Sequence, residues 1–403
     1  MGWSCFESFG GCFKRWKREG VGGREEEEED KDDWNFFMDL ATLEIATDNF
    51  SEENRLGHGG FGPVFKGTMP SGQEIAVKKL SVTSRQGSRE FKNEVELLRR
   101  IQHRNLVTLL GCCFEGREKA LVYEYLPNKS LDNILFDKSK SASLDWSKRF
   151  QIIVGVAKGL LYLHEESPVK IIHRDIKASN ILLDDQLNPK ISDFGLARLF
   201  PDENTHLHTY KISGTYGYMA PEYALHGYLS VKTDVFSFGV VVLEIVSGRK
   251  NHDRRLDEES ADLLSYTWKL SEEGRALEVV DPILPTLHRD QAAMCIQLGL
   301  LCCQASVADR PDMQSVHLML LSDSFEMKKP GKPGIQGRRG RWSSTASASP
   351  SASGTNVSSS VNPSSTNTGA TKISTMSSVA EMSSVAEDYS RNSISVSFVD
   401  EGR

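Results

Sequence analysis

The sequence predicts an α+β protein of two lobes, a strand-rich lobe of roughly 80 residues followed by a mainly helical lobe of roughly 200, lengths typical of domains. Short alternating runs crowd the first third of the globular stretch, a single amphipathic helix interrupts them, and long helical patterns fill the remainder. Glu74–Lys79 (EIAVKK) alternates apolar and polar residues as a half-buried strand does. Residues 88–101 set Phe91, Val95, Leu98 and Ile101 at helical spacing, with Ser88 as the expected N-cap. Residues 120–125 (ALVYEY) form a strand-like apolar and aromatic run. Beyond them, residues 147–163 and 231–246 carry long amphipathic or buried helical patterns. An antiparallel sheet with one helix is therefore expected in the first lobe, and helices in the second.

Of the 403 residues, 39% are hydrophobic and 26% charged, ample for a core and far from collagen-like or small disulfide-framework composition. The seven cysteines include two adjacent pairs, Cys112–Cys113 and Cys302–Cys303, and no CxxC spacing. Those four are expected to be buried reduced thiols, which implies a reducing compartment. The net charge of −7 is local, because residues 24–33 (REEEEEDKDD) carry eight acids and two bases. It therefore says nothing about a nucleic-acid partner, and none is expected. The most apolar run, residues 238–246, is much shorter than the ~20 residues of a membrane span and contains Glu244. The N-terminus has no continuous apolar region of the secretory kind. A cytoplasmic protein is expected.

Composition divides the chain into an arm at 1–33, a globular part at 34–325 whose lobes meet near 126, and a tail at 326–403. The tail is dominated by Ser, Thr, Ala and Asn from Ser343 onward and is expected to be disordered, since it has little apolar surface to bury. Its tandem MSSVAE at 376–381 and 382–387 has too few copies for a repeat fold.

The chemistry is carried by an ordered set of motifs. Leu56, Gly57, His58, Gly59, Gly60, Phe61, Gly62, Pro63 and Val64 contain G-x-G-x-x-G, whose glycines let amide hydrogens approach phosphate. A dinucleotide fingerprint needs a helix directly afterwards; here Pro63, Val64 and Phe65 continue as strand, so a hairpin flap is expected. Ala76 and Lys78 share the strand face beneath that flap. Glu94 on the following helix can turn inward to pair with Lys78, with Glu90 as its competitor. Then come His173-Arg174-Asp175-Ile176-Lys177-Ala178-Ser179-Asn180 and, further on, Asp193-Phe194-Gly195. Phosphoryl transfer needs a metal held against phosphates, a group to orient the acceptor hydroxyl, and neutralisation of charge. Asn180 and Asp193 offer hard oxygen ligands, Asp175 a base, and Lys177 a cation on the same side.

Together with Ala220-Pro221-Glu222, these motifs resemble the eukaryotic protein kinase signature over about residues 50–320. The resemblance implies a two-lobed kinase fold using ATP and Mg2+, for which Mn2+ can substitute. It implies that Leu56–Val64 and Ala76 cover ATP, that Lys78 braced by Glu94 holds its α and β phosphates, and that Asp175 is the base. Asn180 and Asp193 would bind the metal. Tyr123 would be the gatekeeper, Glu124 to Leu126 the hinge for adenine, Glu222 the partner of Arg310, and Asp234 the buttress of the catalytic loop. Lys177 and Thr215 are similar to the serine/threonine pattern, in which the Thr215 hydroxyl bonds Asp175 and Lys177; this opposes a tyrosine kinase. Residues 43–51, 103–107, 121–131 and 214–239 resemble plant receptor-like kinases, most closely the cysteine-rich branch, without its extracellular and membrane-spanning parts. A cytoplasmic form acting on protein substrates beside a membrane receptor kinase follows. The rival class is a catalytically dead docking scaffold, opposed by the presence of Lys78, Asp175 and Asp193.

Regulation is expected where Arg174 gathers with Lys190 and Arg198 to receive an anion, with Thr209, Ser213 and Thr215 as the regulatory candidates and the first two favoured for phosphate. His103 reads as a structural turn residue. In the arm, Trp3, Phe6, Phe9, Phe13 and Trp16 recur every three or four residues beside Lys14, Arg15, Lys17 and Arg18, which suits contact with the plasma membrane surface. Gly2 lacks the Ser or Thr that myristoylation wants where Phe6 stands, so Cys5 and Cys12 are the acylation candidates; a simple flexible arm is the alternative.

Overall fold

The computed structural model describes residues 36–59, 62–80, 85–116, 118–200, 207–253, 255–257, 260–284, 288–322, 327–334 and 394–397. The aromatic and basic arm, with Cys5 and Cys12, lies outside them. Strands β1 (Arg55–Gly59), β2 (Gly62–Thr68), β3 (Glu74–Lys79), β4 (Leu109–Glu115) and β5 (Glu118–Glu124) form an antiparallel sheet in the order β1-β2-β3-β5-β4. Helices α1 (Leu40–Ala46) and α2 (Arg85–Leu98) pack on its opposite faces. Alternation along the strands sorts the side chains. Cys113, Ala120 and Val122 join Leu43 of α1, whereas Cys112, Leu121 and Tyr123 join Phe91, Val95 and Leu98 of α2. Adjacent cysteines thus face opposite ways, and both are buried free thiols, as are Cys295, Cys302 and Cys303.

The second lobe holds α3 (Leu131–Leu135), α4 (Trp146–Leu161), α5 (Pro221–His226), α6 (Val231–Ser247), α7 (Leu263–Glu272), α8 (Arg289–Cys302) and α9 (Met313–Leu321). Asp145 caps α4 by accepting from the Lys148 amide at 2.8 Å. Ser230 and Thr233 close a capping box on α6, and Gly248, at φ 63°, ends it. Every residue of α6 from Thr233 to Ser247 is buried, so this helix is the axis of the lobe. Gly239 and Gly299 let α6 and α8 touch: a Cβ at Gly239 would stand 2.7 Å from Cys302 Cβ, Cys303 Sγ and the Gly299 carbonyl. Even one added methyl there overpacks the core, at a cost of about 1–3 kcal/mol. No helix among the described residues is long and apolar enough to cross a membrane.

Four short antiparallel pairs complete the described strands. These are β6 (Ile171–Ile172) with β9 (Arg198–Leu199), β7 (Ile181–Leu183) with β8 (Pro189–Ile191), β10 (Leu207–His208) with β12 (Tyr228–Leu229), and β11 (Lys211–Gly214) with β13 (Ile394–Ser397).

Two expectations about boundaries need correction. Ser88 does not cap α2, which starts at Arg85; its hydroxyl instead receives Lys119 Nζ of β5 at 2.5 Å. Past the boundary expected near 325, residues 327–334 lie against the helical lobe. Gln304 clamps them, its Nε2 donating to the Gly331 carbonyl and its Oε1 accepting from the Gly331 amide, both at 2.9 Å.

Candidate active site

The flap is a hairpin, as the strand continuation after Gly62 requires: β1 and β2 pair with His58 opposite Pro63 and Gly59 opposite Gly62. Gly60 and Phe61, at its tip, lie outside the described residues. Val64 stands opposite Lys78 in the β2–β3 register, which puts the lysine under the flap. Ala76 is two residues back on the same strand face. At the inner end Tyr123 is buried, and burial together with the nearby Glu94 carboxylate pushes its phenol well above the ordinary range. Leu126 is buried in the linker that follows β5. Glu124 Oε1 accepts from the Thr108 amide at 2.8 Å and from Lys190 Nζ at 2.9 Å.

Lys78 Nζ lies 3.2 Å from Glu94 Oε2 and 2.8 Å from Asp193 Oδ1. Glu94 therefore takes the place for which Glu90 was the competitor. Burial alone would lower the Lys78 pKa, but the two carboxylates outweigh it and hold the ammonium above its usual value. Burial likewise works against the Asp193 carboxylate, and the Lys78 charge overcomes it, so Asp193 sits below the usual range. Both groups are fixed in their charged forms.

The turn after Asp193 is held from α2. Glu94 Oε1 accepts from the Phe194 amide at 3.0 Å, and Asn93 Nδ2 lies 2.9, 3.1 and 2.9 Å from the carbonyls of Phe194, Gly195 and Ala197. Asp193 itself adopts φ 68°, a left-handed conformation uncommon outside glycine. Asn93 escaped the sequence reading. Its one signal is a residue of modest helix propensity beside Glu94 inside a helical pattern.

The loop that carries Asp175 is strained in the same way, with Arg174 at φ 72°. Asp234 imposes the shape: its Oδ2 accepts from the His173 amide at 2.7 Å and its Oδ1 from the Arg174 amide at 2.8 Å. His164, in a π turn after α4, lies 3.0 Å from Asp234 Oδ2. Burial opposes the charge on Asp234, yet these hydrogen bonds keep its carboxyl below the usual range. Asp234 is thus the expected buttress; His164, in the polar run His164-Glu165-Glu166, had no sequence signal to set it apart.

Asp175 is held on both oxygens, and the bond from Thr215 occupies only one lone pair of Oδ1. Oδ1 accepts from Thr215 Oγ1 at 2.6 Å, whereas Oδ2 lies 2.9 Å from Lys177 Nζ and 3.0 Å from Asn180 Nδ2. Lys177 Nζ also donates to Thr215 Oγ1 at 2.8 Å, which closes a triangle. Because the Asn180 amide nitrogen is spent on Asp175, its carbonyl oxygen remains for a hard cation. Among the described residues no group of three or more His, Cys, Asp or Glu side chains could hold a metal by itself. The Asn180 and Asp193 oxygens suit Mg2+, which is normally held by one or two such side-chain ligands plus phosphate and water.

Glu222 and Arg310 pair in fork geometry at 2.7 and 2.8 Å, as expected, with Arg310 fully buried. The anion cluster is different from expectation. Lys190 does not join Arg174; it points to Glu124 because its strand neighbours Pro189 and Ile191 take the buried face. Arg174 donates to the Tyr223 hydroxyl and to the carbonyls of Leu196 and Lys211, the latter two at 3.1 and 3.3 Å. Arg198 is a neighbour, its pKa lowered by burial and then by the Arg174 charge. Ser213 and Thr215 are buried, whereas Thr209 is half-buried and its hydroxyl accepts from the Lys211 amide at 3.2 Å. His103 has the structural role expected, stacking on Tyr162 with ring centroids 4.9 Å apart.

Comparison with known proteins agrees with this geometry. Residues 50–320 match the family described as protein tyrosine and serine/threonine kinase. The chain is 57% identical over 303 residues to cysteine-rich receptor-like protein kinase 28 of Arabidopsis thaliana, covering 74% of this chain and 44% of that one. With G-type lectin S-receptor-like serine/threonine-protein kinase B120 of the same plant it shares 56% over 295 residues, 73% of this chain and 35% of the other. With cysteine-rich receptor-like protein kinase 44, also from Arabidopsis thaliana, it shares 53% over 312 residues, 76% and 82% of the two chains. The chain spans less than half the length of the first two of these relatives.

Proposed function

Because the chain belongs to the protein tyrosine and serine/threonine kinase family, we propose that it transfers the γ-phosphate of ATP to serine and threonine hydroxyls of proteins, itself included, in receptor-linked plant signalling. The observation that carries the acceptor choice is the triangle of Asp175, Lys177 and Thr215. Thr215 stands against the base, which leaves room there for a hydroxyl on a short side chain rather than a long one. Asp175 orients that hydroxyl and receives its proton as the bond to phosphorus forms. Lys177 sits where negative charge gathers on the transferring group.

Leu56, Gly57, His58, Gly59, Val64 and Ala76 roof and floor the nucleotide, Glu124 and Leu126 meet its base, and Lys78 faces its inner phosphates. Magnesium, or manganese in its place, would be held by Asn180 and Asp193 and would offset the charge on the phosphates. Likeness to receptor-like kinases points to a membrane receptor kinase as partner. Phosphate on Thr209 is the regulatory step that fits best, since the Ser213 hydroxyl lies in a buried strand.

The test is autophosphorylation of the full chain with Mg-ATP beside Asp175→Asn, with mapping by mass spectrometry. Phosphoserine and phosphothreonine in the wild type alone are expected. Phosphotyrosine alone, or no phosphate in a folded chain that binds ATP, would refute the assignment.

A further inference from the structure

A short segment near the C-terminus is paired to the strand that leads into the catalytic triangle. β13 (Ile394–Ser397) runs antiparallel to β11, with Ile394 opposite Gly214, Ser395 opposite Ser213, Val396 opposite Ile212 and Ser397 opposite Lys211. β11 ends one residue before Thr215, whose hydroxyl touches Asp175. A strand on this edge therefore lies where an acceptor peptide must approach.

The edge is prepared for an extended partner. On its inner side the Tyr223 hydroxyl bonds both the amide and the carbonyl of Ser213 at 2.9 Å, and Arg174 reaches the Lys211 carbonyl. Backbone groups alternate along a strand, so Ile212 and Gly214 are left to point outward toward Val396 and Ile394. Gly214, at φ 143°, leaves no room for a side chain: a Cβ would stand 2.8 Å from the Arg174 carbonyl. The edge is thereby held flat against the catalytic loop.

The sequence of the segment fits that edge. Within a tail of Ser, Thr, Ala and Asn, residues 393–398 (SISVSF) alternate serine with β-branched or aromatic residues, the period of a strand. The route also fits. Gly334, at the end of the preceding described stretch, abuts Pro221 at the start of α5, where a Cβ would meet Pro221 Cγ at 2.5 Å. The tail thus leaves the lobe beside the segment to which it returns. At up to ~3.3 Å per residue, the chain from Gly334 to Ile394 spans that return many times over.

We propose that Ile394–Ser397 is an intrachain occupant of the β11 edge, and that it excludes protein substrates from Asp175 while leaving the nucleotide site open. This rests on the kinase reading of the site. Strand addition of this kind draws its affinity from main-chain hydrogen bonds, and tethering raises the local concentration of the segment to the millimolar range. A protein substrate must compete with it; ATP need not.

The experiment compares the full chain with full-length Val396→Pro, which removes the outward-paired amide and leaves the catalytic residues untouched. Amide exchange is read in an Asp175→Asn background and steady-state kinetics with casein and ATP in the active one. The Ile212 and Gly214 amides should exchange at least tenfold faster in the proline variant. KM for casein should fall several-fold with KM for ATP unchanged, and a synthetic peptide of residues 390–401 should restore the higher value. Equal exchange in the two chains would overturn the pairing, and an unchanged KM for casein would overturn the exclusion. A chain with no phosphoryl transfer at all would count against the kinase reading alone, because amide exchange reports the docking independently.

Discussion

Replacing Asn93 with alanine sets two effects of opposite sign against each other. Alanine is the better helix former, so α2 gains about 0.5 kcal/mol from propensity. The turn after Asp193 loses the donor that serves three carbonyls, at 2.9, 3.1 and 2.9 Å. An amide nitrogen has two hydrogens, so at most two of these contacts are full hydrogen bonds at one time. At ~0.5–1.5 kcal/mol each, the loss is about 1–3 kcal/mol, or roughly 5- to 150-fold in the equilibrium that keeps the turn closed. The Ala197 amide reports that equilibrium, because it donates to the Phe194 carbonyl at 3.0 Å inside the turn. Native-state hydrogen exchange should show its protection falling by that factor in Asn93→Ala, while amides in the middle of α2 stay protected or gain. The rate of phosphoryl transfer should fall by no more than the same factor. Lys92→Ala, an exposed change on the same helix, should alter neither. Unchanged protection at Ala197 would refute the view that Asn93 holds the turn.

Two further outcomes follow from buried charge. Glu222→Ala strips the partner from a fully buried guanidinium and should cost about 3–5 kcal/mol in urea unfolding; a loss under about 1 kcal/mol would mean that the bonds from Arg310 to the Gln304 and Lys232 carbonyls suffice alone. Glu244 is buried, with the Tyr218 hydroxyl and the Asn251 amide donating to its Oε1 at 2.8 Å, and burial pushes its carboxyl up to about 8. The folded chain therefore keeps this proton to higher pH than the unfolded chain, whose carboxyl titrates near 4.5. The stability it contributes is complete below that value, declines as pH rises toward about 8, and is gone above. Glu244→Gln should flatten the fall in Tm between pH 5.5 and 8, and parallel slopes in the two chains would count against a protonated Glu244.

The residues proposed for catalysis stood out in the sequence because phosphoryl transfer demands particular atoms. Lys78, Asp175, Lys177, Asn180 and Asp193 each carry a charge or an oxygen of the kind that reaction uses, and the fold gathers Lys78 with Asp193 and Asp175 with Lys177 and Asn180. Pairings such as Lys78 with Glu94 and Glu222 with Arg310 followed from the same resemblance. What escaped is set by direction and by backbone. Lys190 was misplaced because the face of β8 depends on which neighbours are buried. Ser88 failed as a cap because α2 extends three residues further, through Arg85, Gln86 and Gly87, even though a glycine weakens a helix. Residues 327–334 read as linker since they are held by Gln304 through main-chain groups, which leave no apolar period. β13 lay hidden for a related reason: four residues can make a strand only when another edge is offered to them.

The five buried thiols turn the protein into its own clock. Burial pushes Cys112, Cys113, Cys295 and Cys302 up to about 12 and holds Cys303 well above the ordinary thiol range. Alkylating reagents attack the thiolate, which at neutral pH is almost absent from such groups and is walled off by the core. Labelling of the native chain at these positions must therefore wait for the structure to open. Cys112 and Cys113 sit on the two faces of the first lobe, and Cys302 and Cys303 line the contact between the long helices of the second. A timed pulse of reagent, followed by peptide mapping, would read the opening rate of each lobe separately without any engineered probe.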